Sequence, residues 1–378
     1  MFAPDHQPEA TGLESRASWR LAAAAWRWLR RAFLALLLLE LSCALVITIM
    51  NYAISGKSRE GSRIVYDPYT LYTSASGPRE TIPGEATGNP SKDRLIWFFG
   101  GSTLRGEDTG VAETLPSILV RELNREGTYA CRAVNFGVNS FNTLQEVQLL
   151  QKTQVENTQW PDLIVFLDGA NDASYCIAER DRNGHEGFAR VKGFIESYWS
   201  SPLGILKPFM AAAYASFTWE LYARLTYALV PVGEDSPLLP ALASSVCARY
   251  DYVHRTAGGM GAGFVAFLQP VAWVEPEAQK IPETSLARRL DLLPVMRTSF
   301  SNVYAALERA LEDRAYFVNL RGAFVGRDFT AYRLDGIHNT DRGREVLAQA
   351  MLPAIRQALA RQALARLLGG VSHLRGVK

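Results

Sequence analysis

The sequence predicts an α/β protein: a doubly wound, mostly parallel five-stranded sheet with a helical insertion, carried behind one N-terminal transmembrane helix. Three observations predict it. From Asp93 onward, short apolar runs alternate with segments of helical period, which implies parallel strands covered by helices on both faces. The run DLIVFLDG at 162–169 is continuously apolar through its centre, as in a strand buried on both sides. The apolar run from Ala32 to Ala53 has about the length needed to cross a hydrocarbon core as a helix.

The totals suit this class. The chain has 378 residues, 48% hydrophobic and 21% charged, enough for a sizeable core. Its net charge of +2 gives no electrostatic reason to expect nucleic acid. Cys43, Cys131, Cys176 and Cys247 form no CxxC pair. With His185, His254 and His338 they show no zinc spacing, so neither a metal nor another cofactor is expected.

Within AFLALLLLELSCALVITIMNYA (32–53) only Glu40 is charged. Arg16, Arg20, Arg27, Arg30 and Arg31 precede it with no acid after Arg16, whereas Lys57, Arg59 and Arg63 follow it mixed with Glu60 and Asp67. This bias places residues 1–31 in the cytoplasm and the remainder outside. The expected location is therefore the inner (plasma) membrane, single-pass, with the main domain periplasmic or extracellular. An uncleaved anchor is preferred to a signal peptide, because Ala53-Ile54-Ser55 is a weak cleavage site and the run is long. Glu40 reads either as a partner for another helix in the membrane or as a tolerated lone carboxyl. Residues 54–92 are rich in Gly, Ser, Pro, Thr and charge and read as a juxtamembrane stalk with little structure of its own.

The main domain is expected over 93–368. Its strands are read at 94–100, 129–136, 162–169, 263–270 and 315–320. Its helices are read near 113–126, 143–157, 285–311 and 341–368, with a basic tail at 369–378. An insertion at about 175–255 breaks the rhythm. Within it Phe209 to Val230 is apolar and aromatic, with only Glu220 and Arg224 charged. A single crossing there would put the flanking motifs on opposite sides of a membrane. Met210, Tyr214, Phe217, Leu221 and Leu225 instead fit one face of a helix, packed on the main domain, acting as a lid, or resting on the bilayer. Cys176 and Cys247 bracket the insertion; two buried thiols and a disulfide are the alternatives.

The chemistry gathers at the predicted strand ends. The first strand leaves through FFGGSTLRG (98–106). A phosphate loop needs Lys and a hydroxyl where Glu107-Asp108 stand. The GxSxG elbow fails because Leu104 holds the second glycine's place, and GxGxxG is absent. What remains is Ser102 on a strand-to-helix turn with its N–H free to donate. Gly137 leaves the second strand, Asn171 follows the third, and Asp335-Gly336-Ile337-His338 precedes the last helix. Doubly wound sheets bind ligands at this edge. Together these residues supply a hydroxyl, a base, an acid that orients the base, and oxyanion donors, which are the parts needed for acyl transfer through a serine ester.

GGST (100–103), Gly137, GAND (169–172) and DGIH (335–338), in this order, resemble the four blocks of the SGNH/GDSL hydrolase superfamily, whose sheet is flavodoxin-like. FGGST with Asn135-x-Gly137 and the later Gln145-Glu146 is similar to a membrane-anchored branch often linked to envelope polysaccharides. The resemblance implies that Ser102 is the nucleophile, His338 its base and Asp335 the residue that orients His338. It implies an oxyanion hole formed by the Ser102 and Gly137 N–H groups and the Asn171 side chain, with Asp172 bracing the Asn171 loop. Ser140 stands where many relatives have a second glycine, and GGST replaces GDS. Gln269 and Arg105 are candidate substrate contacts; the alternatives are a structural role for Gln269 and pairing of Arg105 with Glu107 or Asp108.

The function implied is a membrane-anchored serine esterase that hydrolyses O-acyl esters, O-acetyl esters among them, on a glycan or lipid. Two other functions are considered: an acyltransferase that loads an envelope polysaccharide, and a non-catalytic glycan-binding or scaffolding protein of envelope assembly. The intact set Ser102, Asn171, Asp335 and His338 speaks against the last.

Overall fold

A computed structural model describes residues 11–55, 64–84, 87–89, 92–200, 204–226, 230–275 and 293–375. The chain divides into two units, one of residues 1–52 with 190–228, the other of 53–189 with 229–378. In chain order the elements begin with α1 (Thr11–Ser55), β1 (Ile64–Asp67), β2 (Leu71–Ser74), β3 (Asp93–Gly100), α2 (Ser102–Arg105), α3 (Leu115–Arg125), β4 (Ala130–Asn135), α4 (Thr143–Glu156), β5 (Leu163–Asp168) and α5 (Ala170–Glu179). They continue with α6 (Phe188–Ser200), α7 (Lys207–Ala215), α8 (Phe217–Thr226), α9 (Leu238–Gly259), β6 (Gly263–Leu268), α10 (Leu293–Leu311), β7 (Phe317–Asn319) and α11 (Asp341–Arg375).

The larger unit is built on a five-stranded sheet of order β4-β3-β5-β6-β7, parallel at every pairing. Counted within the sheet this is the order 2-1-3-4-5 of doubly wound folds, whose switch point lies between the first and third strands. Here those strands are β3 and β5, paired from Ile96↔Leu163 to Gly100↔Leu167. Phe98, Phe99, Phe166 and Phe267 on the three central strands are fully buried. With helices on both faces they leave polar side chains only at the strand ends. The helices begin where the sequence supplies caps. Thr114 accepts from Ser117 N–H at the start of α3, and Asn142 accepts from Leu144 and Gln145 N–H at the start of α4.

Four expectations change. Residues 64–84 are not a loose stalk. They form the β1–β2 hairpin and lie on the domain: Arg79 bridges Asn135, Thr81 donates to Ala133 O, and Asp67 pairs with Lys152. Hydrogen-bonding side chains, rather than a long apolar run, hold this segment. The remainder of the expected stalk includes 56–63, 85–86 and 90–91, which lie outside the described residues. The single helix expected over Phe209–Val230 is broken at Ser216, whose N–H and hydroxyl both turn back to Ala213 O. The insertion is also narrower than 175–255, since α9 belongs to the larger unit and only 190–228 groups with α1. Finally, α11 continues to Arg375, through most of the expected tail; residues 376–378, like 276–292 ahead of α10, lie outside the described part. Cys176 and Cys247 are both free thiols.

Candidate active site

The site lies at the carboxyl ends of β3 and β5, beside the switch point. β3 stops at Gly100, and Gly101 turns the chain in extended geometry into the one-turn helix α2, which opens with Ser102. The two glycines make room for the protein's own neighbours. A Cβ on Gly100 would lie 2.9 Å from the Leu104 side chain and 3.0 Å from Leu167 O, and one on Gly101 would lie 2.5 Å from Asn171 Nδ2. The Ser102 turn and the Asn171 amide are thus in contact only because residue 101 has no side chain.

Asp335 and His338 come from the loop before α11. One Asp335 oxygen accepts from the backbone N–H groups of Ile337 (2.8 Å) and His338 (2.9 Å), and the other lies 2.7 Å from His338 Nδ1. The three-residue spacing lets a single carboxylate close its own turn and hold the imidazole. Gly336, at φ 73°, lies against the Trp273 ring. His338 Nε2 then reaches Ser102 Oγ at 2.6 Å. With Nδ1–H donating to Asp335, Nε2 is the lone-pair nitrogen that accepts from the serine hydroxyl. Burial raises the Asp335 carboxyl. The hydrogen bond and charge of His338 and the two backbone donors outweigh it, so the group lies below its ordinary value and stays ionised. Ser102, Asn171, Asp335 and His338 are all half-buried, held in place yet reachable.

Asn171 Nδ2 donates to Phe141 O at 2.7 Å, which leaves one amide proton uncommitted. Asp172 accepts from the Thr143 hydroxyl at 2.6 Å and pins this loop to the start of α4. Gly137 does not take the position expected of it, because its N–H already donates to Asn135 Oδ1 at 2.9 Å. Farther along the same loop Ser140 has φ 66°, a left-handed conformation that is uncommon for a residue with a side chain. Among the described residues the Ser140 and Ser102 N–H groups have no acceptor. The Ser140 backbone conformation is one that a glycine favours.

Gln269 and Arg105 are both turned inward. Gln269 Nε2 donates to Thr103 Oγ1 (2.9 Å) and to Ile337 O (3.2 Å), so it ties the Ser102 turn to the Asp335–His338 loop. Thr103, for which the motif gave no role, is one end of this strut. Arg105 is 1% exposed. It donates to Ser74 Oγ and Ser76 Oγ at 2.7 Å each, to Gly137 O at 2.9 Å and to Gly77 O at 3.2 Å, and it pairs with Glu107 at 2.5 Å. Its charge is consumed internally. Among the described residues no group of three or more His, Cys, Asp or Glu side chains is placed to hold a metal ion.

Beneath the Asn171 loop lies a buried acidic cluster. Asp168, the last residue of β5, accepts from Tyr250 Oη at 2.8 Å and lies against Glu146 of α4. Burial pushes Asp168 up to about 7 and Glu146 well above its ordinary value, with the neighbouring Asp168 adding to the shift. Neither Glu146 carboxylate oxygen accepts a hydrogen bond, so burial beside Asp168 favours the protonated form of the pair.

No known protein-family model matches the sequence, and no curated protein matches it. Solved structures do resemble it in shape. An acetyl xylan esterase aligns at 12% identity and a TM-score of 0.39, over 69% of this chain and 99% of the other. The structure of TesA aligns at 15% identity and 0.36, over 70% and 99%. A member of the lipolytic G-D-S-L family from Veillonella parvula aligns at 13% identity and 0.35, over 68% and 96%. The fold and site themselves define a doubly wound α/β protein with a Ser–His–Asp constellation at its switch point.

Proposed function

We propose that the protein is a membrane-anchored serine esterase of the SGNH/GDSL type that hydrolyses O-acyl esters, O-acetyl esters among them, on a glycan or lipid. The observation that carries the reading is the continuous contact Ser102 Oγ–His338 Nε2, His338 Nδ1–Asp335. In the proposed reaction Ser102 Oγ attacks the ester carbonyl while its proton passes to His338 Nε2. Asp335 stabilises the imidazolium without taking its proton. The carbonyl oxygen becomes an oxyanion that accepts from Ser102 N–H, the spare Asn171 amide proton and, in place of Gly137, Ser140 N–H. His338 returns the proton to the departing alcohol oxygen as the carbon–oxygen bond breaks, leaving an acyl-Ser102 ester. Water, deprotonated by the same nitrogen, then releases the acid and restores the hydroxyl.

The anchor is α1, whose Trp19–Tyr52 stretch is long and apolar enough to cross a membrane and whose residues 32–39 are exposed throughout. The arginine bias before it supports a cytoplasmic N-terminus and an exterior site.

The full-length protein in detergent, exposed to a fluorophosphonate, should become labelled on Ser102 and should release acid from a model ester. Absence of both label and turnover in folded protein would reject the esterase reading. Including an acetylated oligosaccharide with a free acceptor sugar, and measuring acyl-sugar beside free acid, separates hydrolysis from transfer.

A further inference from the structure

The smaller unit contains a polar cluster that the esterase chemistry does not use. Glu40, at mid-span of α1, reaches the first turn of α8. Its carboxylate accepts from Phe217 N–H at 2.8 Å, from Thr218 N–H at 3.1 Å and from the Thr218 hydroxyl at 2.5 Å. Ser216 Oγ accepts the next N–H, that of Trp219, at 3.0 Å, and Glu220 N–H closes on Ser216 O. The N–H groups that a helix start leaves orphaned are therefore all satisfied by protein atoms.

The other side of the same turn is treated alike. Arg190 donates to Tyr214 O at 2.9 Å, to Ser216 O at 3.3 Å and to Ala215 O at 3.5 Å, covering the carbonyls that end α7. Arg190 also pairs with Glu220, Glu220 pairs with Arg224, and Arg224 donates to Asn51 of α1 at 2.9 Å. With Glu40 this makes two carboxylates balanced by two guanidinium groups. Helix ends in water can be capped in the same way, but a turn in hydrocarbon requires its backbone groups to be satisfied by protein atoms, as these are.

The apolar surface agrees. From Pro208 to Trp219 the chain carries no charge. Phe209, Met210, Phe217, Tyr222 and Leu225 are exposed, Phe209 and Leu225 each to 70%. Between residues 32 and 52 of α1 the covered ones are Glu40, Cys43, Ala44, Ile47, Met50 and Asn51, a stripe at helical spacing, whereas 32–39 stay exposed. The stripe begins at Glu40, and Glu40 lies about 16 Å along the helix from Asn51 at ~1.5 Å per residue. Since α8 runs from beside Glu40 toward Asn51, the α7–α8 turn sits at the depth of Glu40 within the apolar span.

We propose that α7 and α8 form a re-entrant hairpin: the segment enters the bilayer from the outer side beside α1, turns at Ser216 under the Glu40 carboxylate, and leaves on the same side. Its exposed aromatic and aliphatic residues face acyl chains. Entering and returning on one side keeps all four catalytic segments in one compartment, which a full crossing would not. The inference rests on α1 being a retained anchor, and the test separates the two claims.

Full-length protein in phosphatidylcholine–phosphatidylglycerol vesicles is irradiated with a phospholipid that carries a diazirine at the acyl terminus, and the adducts are mapped by peptide mass spectrometry. The expected result is adducts on 32–39 and on residues of 205–226, with none on α3 or α11. Adducts on 32–39 without any on 205–226 would overturn the hairpin while keeping the anchor. Adducts on neither segment, with protein released by alkaline carbonate, would overturn the anchor and the hairpin with it. Glu40→Leu adds a second arm. The anchor residues should label as before, while trypsin, expected to cut slowly at Arg190 and Arg224 in the unaltered protein, should cut there at least ~10-fold faster. Unchanged cleavage would show that Glu40 does not hold the hairpin.

Discussion

His338 Nε2 stands 2.6 Å from Ser102 Oγ, although 236 positions of chain separate the two residues. The contact is made because the Ser102 turn and the His338 loop both leave the same edge of one sheet, and Gln269 joins them through Thr103 and Ile337. Ser102→Ala and His338→Ala should each lower kcat/KM for p-nitrophenyl acetate by about 10³-fold or more, and the double variant should fall little further, because the two act as a unit. Additive losses would show that they do not. Asp335→Asn should also be severely impaired, since an amide in that place favours the wrong imidazole tautomer.

Gln269→Ala tests the strut. Gln269 is 4% exposed and reaches the substrate only through the residues it positions. The expected signature is a drop in kcat of roughly 10-fold with KM nearly unchanged, as for a loss confined to the transition state. Gln269→Glu keeps the length but offers no donor to Ile337 O and should not rescue. A selective rise in KM would instead make Gln269 a substrate contact.

The oxyanion assignment makes a paired prediction. Asn171→Ala should reduce kcat by ~10²-fold or more. Ser140→Gly should keep activity, because it keeps the N–H, and should raise thermal stability by about 1 kcal/mol by relieving a left-handed conformation at φ 66°. Gly137→Ala should destabilise for a different reason: its Cβ would lie 2.8 Å from the Arg105 backbone nitrogen. If Ser140→Gly is less stable than the parent, the conformation is not strained.

Much of this site could be read from the sequence because its residues are local motifs at strand ends. GGST, GAND and DGIH each announce a turn after an apolar run, and the doubly wound topology places all of them on one edge. Features that depend on partners distant in sequence were not legible. Arg105 sits between glycine and acids and reads as exposed; its acceptors Ser74, Ser76, Gly77 and Gly137 lie about 30 residues away on either side. Gly137 N–H was committed by a side chain two residues back, a contact that spacing does not reveal. The break at Ser216 carries no Pro or Gly signal, since Ala-Tyr-Ala-Ser-Phe is compatible with a continuous helix; the stop comes from Ser216 and from Arg190 and Glu40. The strands of the expected stalk are too short, four residues each, to show a period.

Arg105→Lys is the sharper test of the internal clamp. Lys retains the charge but cannot span two serine hydroxyls and two carbonyls with a planar fork. Both Arg105→Lys and Arg105→Ala should lower stability, by about 3 kcal/mol for the alanine variant, and should expose the 74–79 segment to proteolysis before global unfolding. Full stability of Arg105→Ala would return Arg105 to the list of substrate contacts.

The Glu146–Asp168 pair sets a pH dependence whose sign follows from the direction of its shifts. Both folded-state values are raised, Asp168 to about 7, whereas the unfolded chain releases these protons near pH 4. The native state therefore holds a proton that the unfolded state has lost. The associated stabilisation is fully present below about pH 4 and is lost as pH rises through the folded value. Asp335 works the opposite way: its lowered value gives stabilisation that is lost only as pH falls through that value, outside this window. Thermal unfolding of the full-length protein in detergent should show Tm declining between pH 5 and pH 8, with a limiting slope of about 1.4 kcal/mol per pH unit for one retained proton. Glu146→Gln removes one titrating partner and supplies a permanent N–H donor to Asp168, so its Tm should be flatter over the same range and exceed the parent's at pH 8. An equal slope in parent and variant would show that the proton is held elsewhere.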